Sequence, residues 1–233
     1  LGEGNFHSFS EFYNHVVSDS SGEAAATLVN RLTTNHTYFM REAEHFNYFS
    51  GVVLPYLVSA NRCSRDLRVW SAGCSTGEEA YTLAMIVDDF LGSEKTMWDT
   101  RILATDISTK VLKSATEGIY PDERLASLPP RWRSSYFKKA GQGVSAVSEV
   151  IKNNIIFRRF NLMNPAFPFR KKFHVIFCRN VMIYFDTQTK ISLVERLYDF
   201  TEPGGYLFIG HSESLNRDET RYKYIIPAVY RKE

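Results

Sequence analysis

Val69-Trp70-Ser71-Ala72-Gly73-Cys74-Ser75-Thr76-Gly77-Glu78-Glu79-Ala80 runs from an apolar strand pattern, through small residues at every position from Ser71 to Thr76, into the start of a helix. The apolar positions that follow, Leu83, Ala84, Ile86, Val87, Phe90 and Leu91, keep the helical period and predict a helix over 78–91. Small residues at a strand-to-helix turn let a ligand approach the backbone closely, as in nucleotide-binding βαβ units. Glu78 and Glu79 suit the positive end of the helix dipole but would repel a pyrophosphate. The stretch therefore points to a phosphate-free nucleoside that carries a positive charge. S-adenosylmethionine fits that description.

Working outward, the chain from Leu67 onward alternates strand and helix patterns. Strands are predicted at 67–72, 101–105, 155–159, 173–178 and 205–210, and further helices at 108–116 and 187–200. Such alternation predicts an α/β class and a doubly wound, mostly parallel sheet. Tyr222 to Arg231 reads as one or two more strands around Pro227, at a sheet edge or a bend. Residues 118–154 break the rhythm with Pro121, Pro129, Pro130, Gly141 and Gly143, a short helix near Trp132 to Phe137 and a β-like run from Val144 to Val150. They read as an insertion subdomain. Residues 1–60 read as a helical region with a linker helix, apart from the main domain at 61–233. Within them Ser18 to Gly22 is a polar break, Glu23 to Leu32 a helix, and Thr33-Thr34-Asn35 a cap or turn. A third helix is predicted to carry Phe39, Phe46, Phe49, Val53, Leu54 and Leu57, with Pro55 kinking it or starting a new turn.

Composition bounds the partners. The 233 residues carry a net charge of +2, which gives no broad attraction to nucleic acid or anionic lipid. The longest apolar runs are too short to span a bilayer, so no direct membrane insertion is expected. No signal-peptide pattern opens the sequence, and Leu1 stands where an initiator Met would. Cys63, Cys74 and Cys178 are scattered, with no C-x-x-C pair, and read as buried or half-buried thiols of a cytoplasmic protein with neither disulfide nor zinc framework.

Ligands of open α/β sheets lie beyond the carboxyl ends of the strands. There the sequence places Glu78, then Asp106 at the tip of the second strand, where an acid hydrogen-bonds ribose hydroxyls unless it merely caps the next helix. Asn161 and Asn180 follow two further strands, each amide offering a donor and an acceptor to an adenine edge or an amino-acid moiety. Asn35, Thr37 and Arg41 form a second polar group, and Arg41 is suited to bind a carboxylate bidentately or to pair with Glu42 or Glu44. His174, inside an apolar strand, reads as a packing histidine, and His211 lines the pocket or caps a turn. Tyr184 is a candidate to meet the substrate or the adenine.

Four blocks taken together, 32–46, 69–80, 176–186 and Gly210-His211-Ser212-Glu213-Ser214, resemble the CheR family of chemotaxis receptor methyltransferases over about residues 28 to 230. The resemblance implies a Rossmann-like S-adenosylmethionine-dependent methyltransferase fold with a small N-terminal helical region and a small β insertion. It implies transfer of the methyl group of S-adenosyl-L-methionine to glutamate carboxylates of chemoreceptors (methyl-accepting chemotaxis proteins), leaving S-adenosyl-L-homocysteine. By resemblance the cofactor ligands are Asn35, Thr37, Arg41, Glu78, Asp106, Asn161, Leu162, Asn180 and Val181, with Arg41 and Tyr184 the candidate catalytic residues and no metal. Two departures stand out: family members begin with a longer helical domain, and the Tyr136 to Phe157 stretch is short for the β-subdomain with which some members dock a receptor C-terminal peptide. No such tether is expected.

A carboxylate substrate is ionised at neutral pH, its ordinary pKa being ~4.3, so no general base is required. Alignment and exclusion of water are then the expected sources of rate. The competing readings are a chemosensory scaffold that binds S-adenosylmethionine without turnover, and a methyltransferase acting on a small molecule or a nucleic-acid base. Arg179-Asn180-Val181-Met182 lacks the Asn/Asp-Pro-Pro-aromatic run common in enzymes that methylate nucleic-acid amino groups.

Overall fold

Strands that read as nearly continuous apolar runs are buried on both faces, and the centre of this molecule is built that way. The computed structural model describes residues 6–19, 23–32 and 35–233. Its main sheet contains β1 (Val69–Ala72), β2 (Ile102–Asp106), β6 (Ile155–Arg159), β7 (Phe173–Cys178), β8 (Thr201–Ile209), β9 (Lys223–Ile226) and β10 (Val229–Arg231). The order is β6-β2-β1-β7-β8-β10-β9, parallel except where β10 pairs antiparallel with β8 and β9. The two strands around Pro227 are thus a hairpin closing one sheet edge. β8 begins at Thr201, before the predicted position 205, and takes Gly204-Gly205 inside the strand.

Side chains alternate between two cores, as pleating requires. Val175, Phe177, Tyr206 and Phe208 point into one, and Ile176, Cys178, Leu207 and Ile209 into the other. The first core is covered by α5 (Glu78–Leu91) and by α3 (Ala43–Tyr48) with α4 (Leu54–Ala60). The second is covered by α9 (Thr187–Asp199) and by aromatic rings gathered around Trp70. α6 (Thr109–Glu117) follows β2 and is capped by the Ser108 hydroxyl, which accepts from Val111 N.

Between α3 and α4 the helix widens into a π turn, Phe49–Val53, in which Leu54 N donates to Phe49 O. Pro55 explains it: proline has no N–H for the carbonyl four residues back, and its ring crowds that carbonyl. Phe39, expected on the same helix, lies ahead of it. Residues 35–42 form no helix, and Met40 and Glu42 adopt positive φ of 59° and 56°. Two further helices precede them, α1 (Phe9–Ser18) and α2 (Glu23–Leu32). Most of the polar break and of the predicted cap at Thr33-Thr34 lies outside the described residues.

The insertion holds a separate antiparallel sheet of β3 (Ile119–Pro121), β5 (Val144–Val147) and β4 (Phe137–Gly141), in the order β3-β5-β4. α7 (Pro130–Tyr136) precedes β4. The run expected to stay β-like to Val150 turns instead into α8 (Glu149–Lys152). Cys74 and Cys178 are buried as expected, whereas Cys63 is exposed.

His174 is the packing histidine its strand position predicts: its Nδ1 accepts from Arg68 N at 3.0 Å, and the residue is 6 % exposed. Burial, with the Arg68 guanidinium nearby, pushes its pKa from 6.5 down to about 4. Between those two values the unfolded chain takes up a proton that the folded chain refuses, so stability falls as pH falls through that window and is unaffected above it. His174→Asn keeps an acceptor near Nδ1 but does not titrate. Urea unfolding at a series of pH values is expected to show the variant gaining on the wild type below pH 6.5, by up to about 3 kcal/mol at pH 4.

Candidate functional site

The carboxyl ends of β1, β2, β6 and β7 open into one cavity of about 420 Å³, closed on the far side by residues 35–41. Asp106 at the end of β2, Asn161 and Leu162 beyond β6, and Asn180 and Val181 beyond β7 all line it. So do Asn35, Thr37 and Arg41 from the facing segment, and Tyr184, which is 60 % exposed at the rim. Nine of the ten residues singled out from the sequence therefore share one wall system. Glu78 does not.

The turn after β1 decides what the cavity can hold. Gly73 N and Cys74 N both donate to Thr105 O, at 2.8 and 2.9 Å, Gly77 N donates to Cys74 O, and Ser75 N donates to Asp106 Oδ2 at 2.9 Å. A phosphate-binding loop presents such groups to its ligand. Here they are already engaged. Gly73 has a φ of +95°, and a Cβ on it would meet Val181 Cγ2 at 2.5 Å, so glycine allows the turn to pack against the opposite wall. The other Asp106 oxygen accepts from Ser108 N at 2.9 Å. Burial raises the Asp106 pKa, with the Ser108, Ser75 and Ile107 N–H groups opposing. Each carboxylate oxygen has a second lone pair for a ligand hydroxyl.

The back of the cavity is an ion cluster. Arg179, 6 % exposed, binds Glu42 Oε2 at 3.0 Å and Glu79 Oε2 at 2.9 Å, donates to Arg41 O, and lies 5.1 Å over the Phe46 ring. Glu42 Oε1 also accepts from Asn180 Nδ2 at 3.1 Å. Burial alone would raise the Glu42 pKa, but Asn180 and Arg179 hold it below the ordinary value. For Glu79 burial prevails, and its pKa is raised. In the lining Arg41 and Arg179 face Glu79 and Asp106, and Glu42 behind them also holds Arg179, so the cavity offers no excess of positive charge to an anion.

Arg41 donates to His36 O, and the carboxylate of Glu42 is held by Arg179. Glu78 is turned away from the cavity: fully buried, it pairs with Arg124 Nη1 at 3.0 Å and accepts from Thr76 Oγ1 at 2.6 Å. Successive helical residues point about 100° apart, so only one acid of the pair can face the strand ends, and that one is Glu79. His211 stands outside the cavity, its ring 4.4 Å from that of His45.

Sequence reasoning missed Glu213. Its carboxylate accepts from the N–H groups of Asn180 (2.9 Å), Met182 (2.6 Å), Ile183 (3.2 Å) and Gly210 (2.6 Å), which fixes the loop that carries Asn180 and Val181. Gly210 lets Asn180 lie against the end of β8, since a Cβ there would sit 2.4 Å from Asn180 Nδ2. The only hint in the sequence was an acid without an assigned task in Gly210-His211-Ser212-Glu213-Ser214.

Residues 35–230 match a family described as CheR methyltransferase, SAM binding domain. A chemotaxis protein methyltransferase of Borreliella burgdorferi is 40% identical over 229 residues, covering 97% of this chain and 81% of that protein. A chemotaxis protein methyltransferase of Escherichia coli is 38% identical over 226 residues, 95% of this chain and 76% of that one. A probable chemotaxis protein methyltransferase of Rhizobium etli is 35% identical over 236 residues, 96% and 87% of the two chains.

Replacing Glu213 with Gln leaves one oxygen for four N–H donors and turns an amide NH₂ toward two of them. Each stranded N–H costs about 1–3 kcal/mol. The urea midpoint is expected to drop accordingly. Cofactor affinity measured by calorimetry on the folded variant is expected to drop with it, because Asn180 and Val181 lose their anchor.

Proposed function

On the premise that the chain belongs to the CheR methyltransferase family, we propose that it methylates glutamate side chains in the cytoplasmic domains of chemoreceptors, giving methyl esters and S-adenosylhomocysteine. Its activity is S-adenosylmethionine-dependent methyl transfer in chemotaxis. The observation that carries the choice of cofactor is the turn after β1, whose N–H groups are engaged within the protein where a phosphate would need them. Among the described residues no helix is long and apolar enough to cross a membrane.

The residues present fit the cofactor. Asp106 would offer its carboxylate oxygens to the ribose hydroxyls, and Asn161 with Leu162 would border the adenine. Asn180 and Val181 would border the amino-acid end, Asn35 and Thr37 would close the facing side, and Arg41 would suit a carboxylate. Glu78 enters this reading as a positioning residue, since it binds the Thr76 hydroxyl and Arg124 behind the turn. The cofactor, when bound, supplies a methyl group on a positively charged sulfur.

What remains for the protein is alignment and exclusion of water. A glutamate carboxylate arrives ionised, with an ordinary pKa of ~4.3, so no side chain has to remove a proton. Holding the reactants in line contributes up to roughly 7–11 kcal/mol. Phe46, Leu162, Val181 and Phe185 line the cavity and keep water away from charges that partly cancel as the methyl moves. Arg41 steers or binds a carboxylate, and Tyr184, exposed at the rim, meets the substrate or the adenine.

Radioactive methyl transfer to a receptor cytoplasmic fragment, with label released as methanol in base, tests the reaction. A protein that binds the cofactor yet transfers nothing is a scaffold, and label that resists base marks a different acceptor atom. The pH profile of kcat/KM is expected to show no basic limb between about pH 6 and 8 traceable to a side chain of the enzyme. Asp106→Ala is expected to weaken S-adenosylhomocysteine binding by about 10- to 100-fold in calorimetry, the worth of hydrogen bonds to a charged group. Unchanged affinity removes Asp106 from the site.

A further inference from the structure

Glu42, at the start of α3, His45, one turn into it, and His211, after β8, meet behind the cavity. One ligand atom from each lies within 4.8 Å of the other two. His45 is 2 % exposed, yet neither of its ring nitrogens has a hydrogen-bond partner among the described residues. Its Nδ1 lies 3.3 Å from Glu42 Oε2 without forming a hydrogen bond. A buried polar atom left in that state costs about 1–3 kcal/mol, which calls for a partner. His211 is exposed and opens the group to solvent.

We propose that Glu42, His45 and His211 bind one divalent transition-metal ion of the zinc class, with water completing its coordination, and that this ion is antagonistic to the cofactor. Two imidazole nitrogens and one carboxylate oxygen form a set typical of zinc and its neighbours, whereas magnesium and calcium prefer oxygen alone. Bonds of about 2.0–2.2 Å require the three atoms to draw together, and His211, on an exposed loop, is the member free to move. Antagonism follows from the sharing of Glu42. Its carboxylate also holds Arg179 and Asn180, both of which line the cofactor cavity. An ion on Oε2 competes with Arg179 for that oxygen and sets a second positive charge beside the guanidinium. By linkage, cofactor and ion weaken each other by the same factor.

The binding claim stands apart from the methyl-transfer reading, and the antagonism rests on it. The test uses the full chain without an affinity tag. Zinc is titrated against a chromophoric chelator, and cobalt serves as a spectroscopic substitute. The expected result is one ion per chain, with His211→Ala weakening binding by about tenfold or more at an unchanged melting temperature, and Cys63→Ser having no effect. Absence of a stoichiometric ion, wild-type affinity in His211→Ala, or a thiolate-to-cobalt charge-transfer band each overturns the site. S-adenosylhomocysteine is then titrated with and without zinc. Weaker binding with zinc in the wild type but not in His211→Ala supports the antagonism, and equal affinity in the wild type overturns it. If S-adenosylhomocysteine fails to bind under any condition, the cofactor reading and the antagonism fall, while the metal titration still decides the site.

Discussion

The buried guanidinium of Arg179 joins parts of the chain that would otherwise have no reason to meet. It sits at the end of a fully buried strand, between a carboxylate from the first turn of α5 and one from the irregular segment before α3. Taking one arginine and two acids out of water is expensive, and the attraction among them does little more than offset that cost. Removing the arginine leaves two acids without a counter-charge, and removing either acid leaves guanidinium N–H groups without an acceptor. Such a cluster contributes less to stability than to uniqueness: the first turn of α5, the end of β7 and residues 40–42 each have one place to go. All three form walls of the cofactor cavity, so the shape of that cavity depends on the cluster.

The same dependence explains what could be read from the sequence and what could not. β1, β2 and β7 announced themselves because a strand buried on both faces must be apolar almost throughout, β6 by Ile155-Ile156-Phe157 ahead of two exposed arginines, and α5 because its apolar stretch is too long for a strand. Asp106, Asn161 and Asn180 were legible because strand ends are where an open α/β sheet keeps its ligands. Residues 35–42 were misread because aromatic spacing alone resembles a helix. The positive φ of Glu42 is held by Arg179, Asn180 and the N–H of His211, all far away in the chain. Glu78 and Glu79 could not be told apart, since only contact with Arg179 on one side and Arg124 on the other distinguishes them. β4 gave no strand signal because all but its first residue are exposed, so no burial alternation is written into them.

Electrostatics and hydrogen bonding describe the cavity consistently. Its floor offers engaged N–H groups, its rear wall carries an excess of carboxylate, and its sides are apolar. A polyanion finds neither donors nor favourable charge there. A cation with a ribose finds both an acid for its hydroxyls and a dry place for its charge. Chemistry that needs no proton removed asks nothing more of the side chains than position, which accounts for a site rich in anchoring residues and poor in bases.

The widened turn ahead of Pro55 makes the α3–α4 segment sensitive to length as well as to composition. Its extra residue sets the angular offset between Phe46 and Phe49, which pack on Phe177 and Phe208, and Leu54 and Leu57 on the far side of the bulge. Shortening the segment by one residue would restore an ordinary helical pitch and swing one pair about 100° around the axis relative to the other. Both halves could not then face the sheet together, and His45, on the upstream half, would be carried away from His211. The register of this helix is thus a ruler, set by one imino acid, for a histidine nearly three turns upstream.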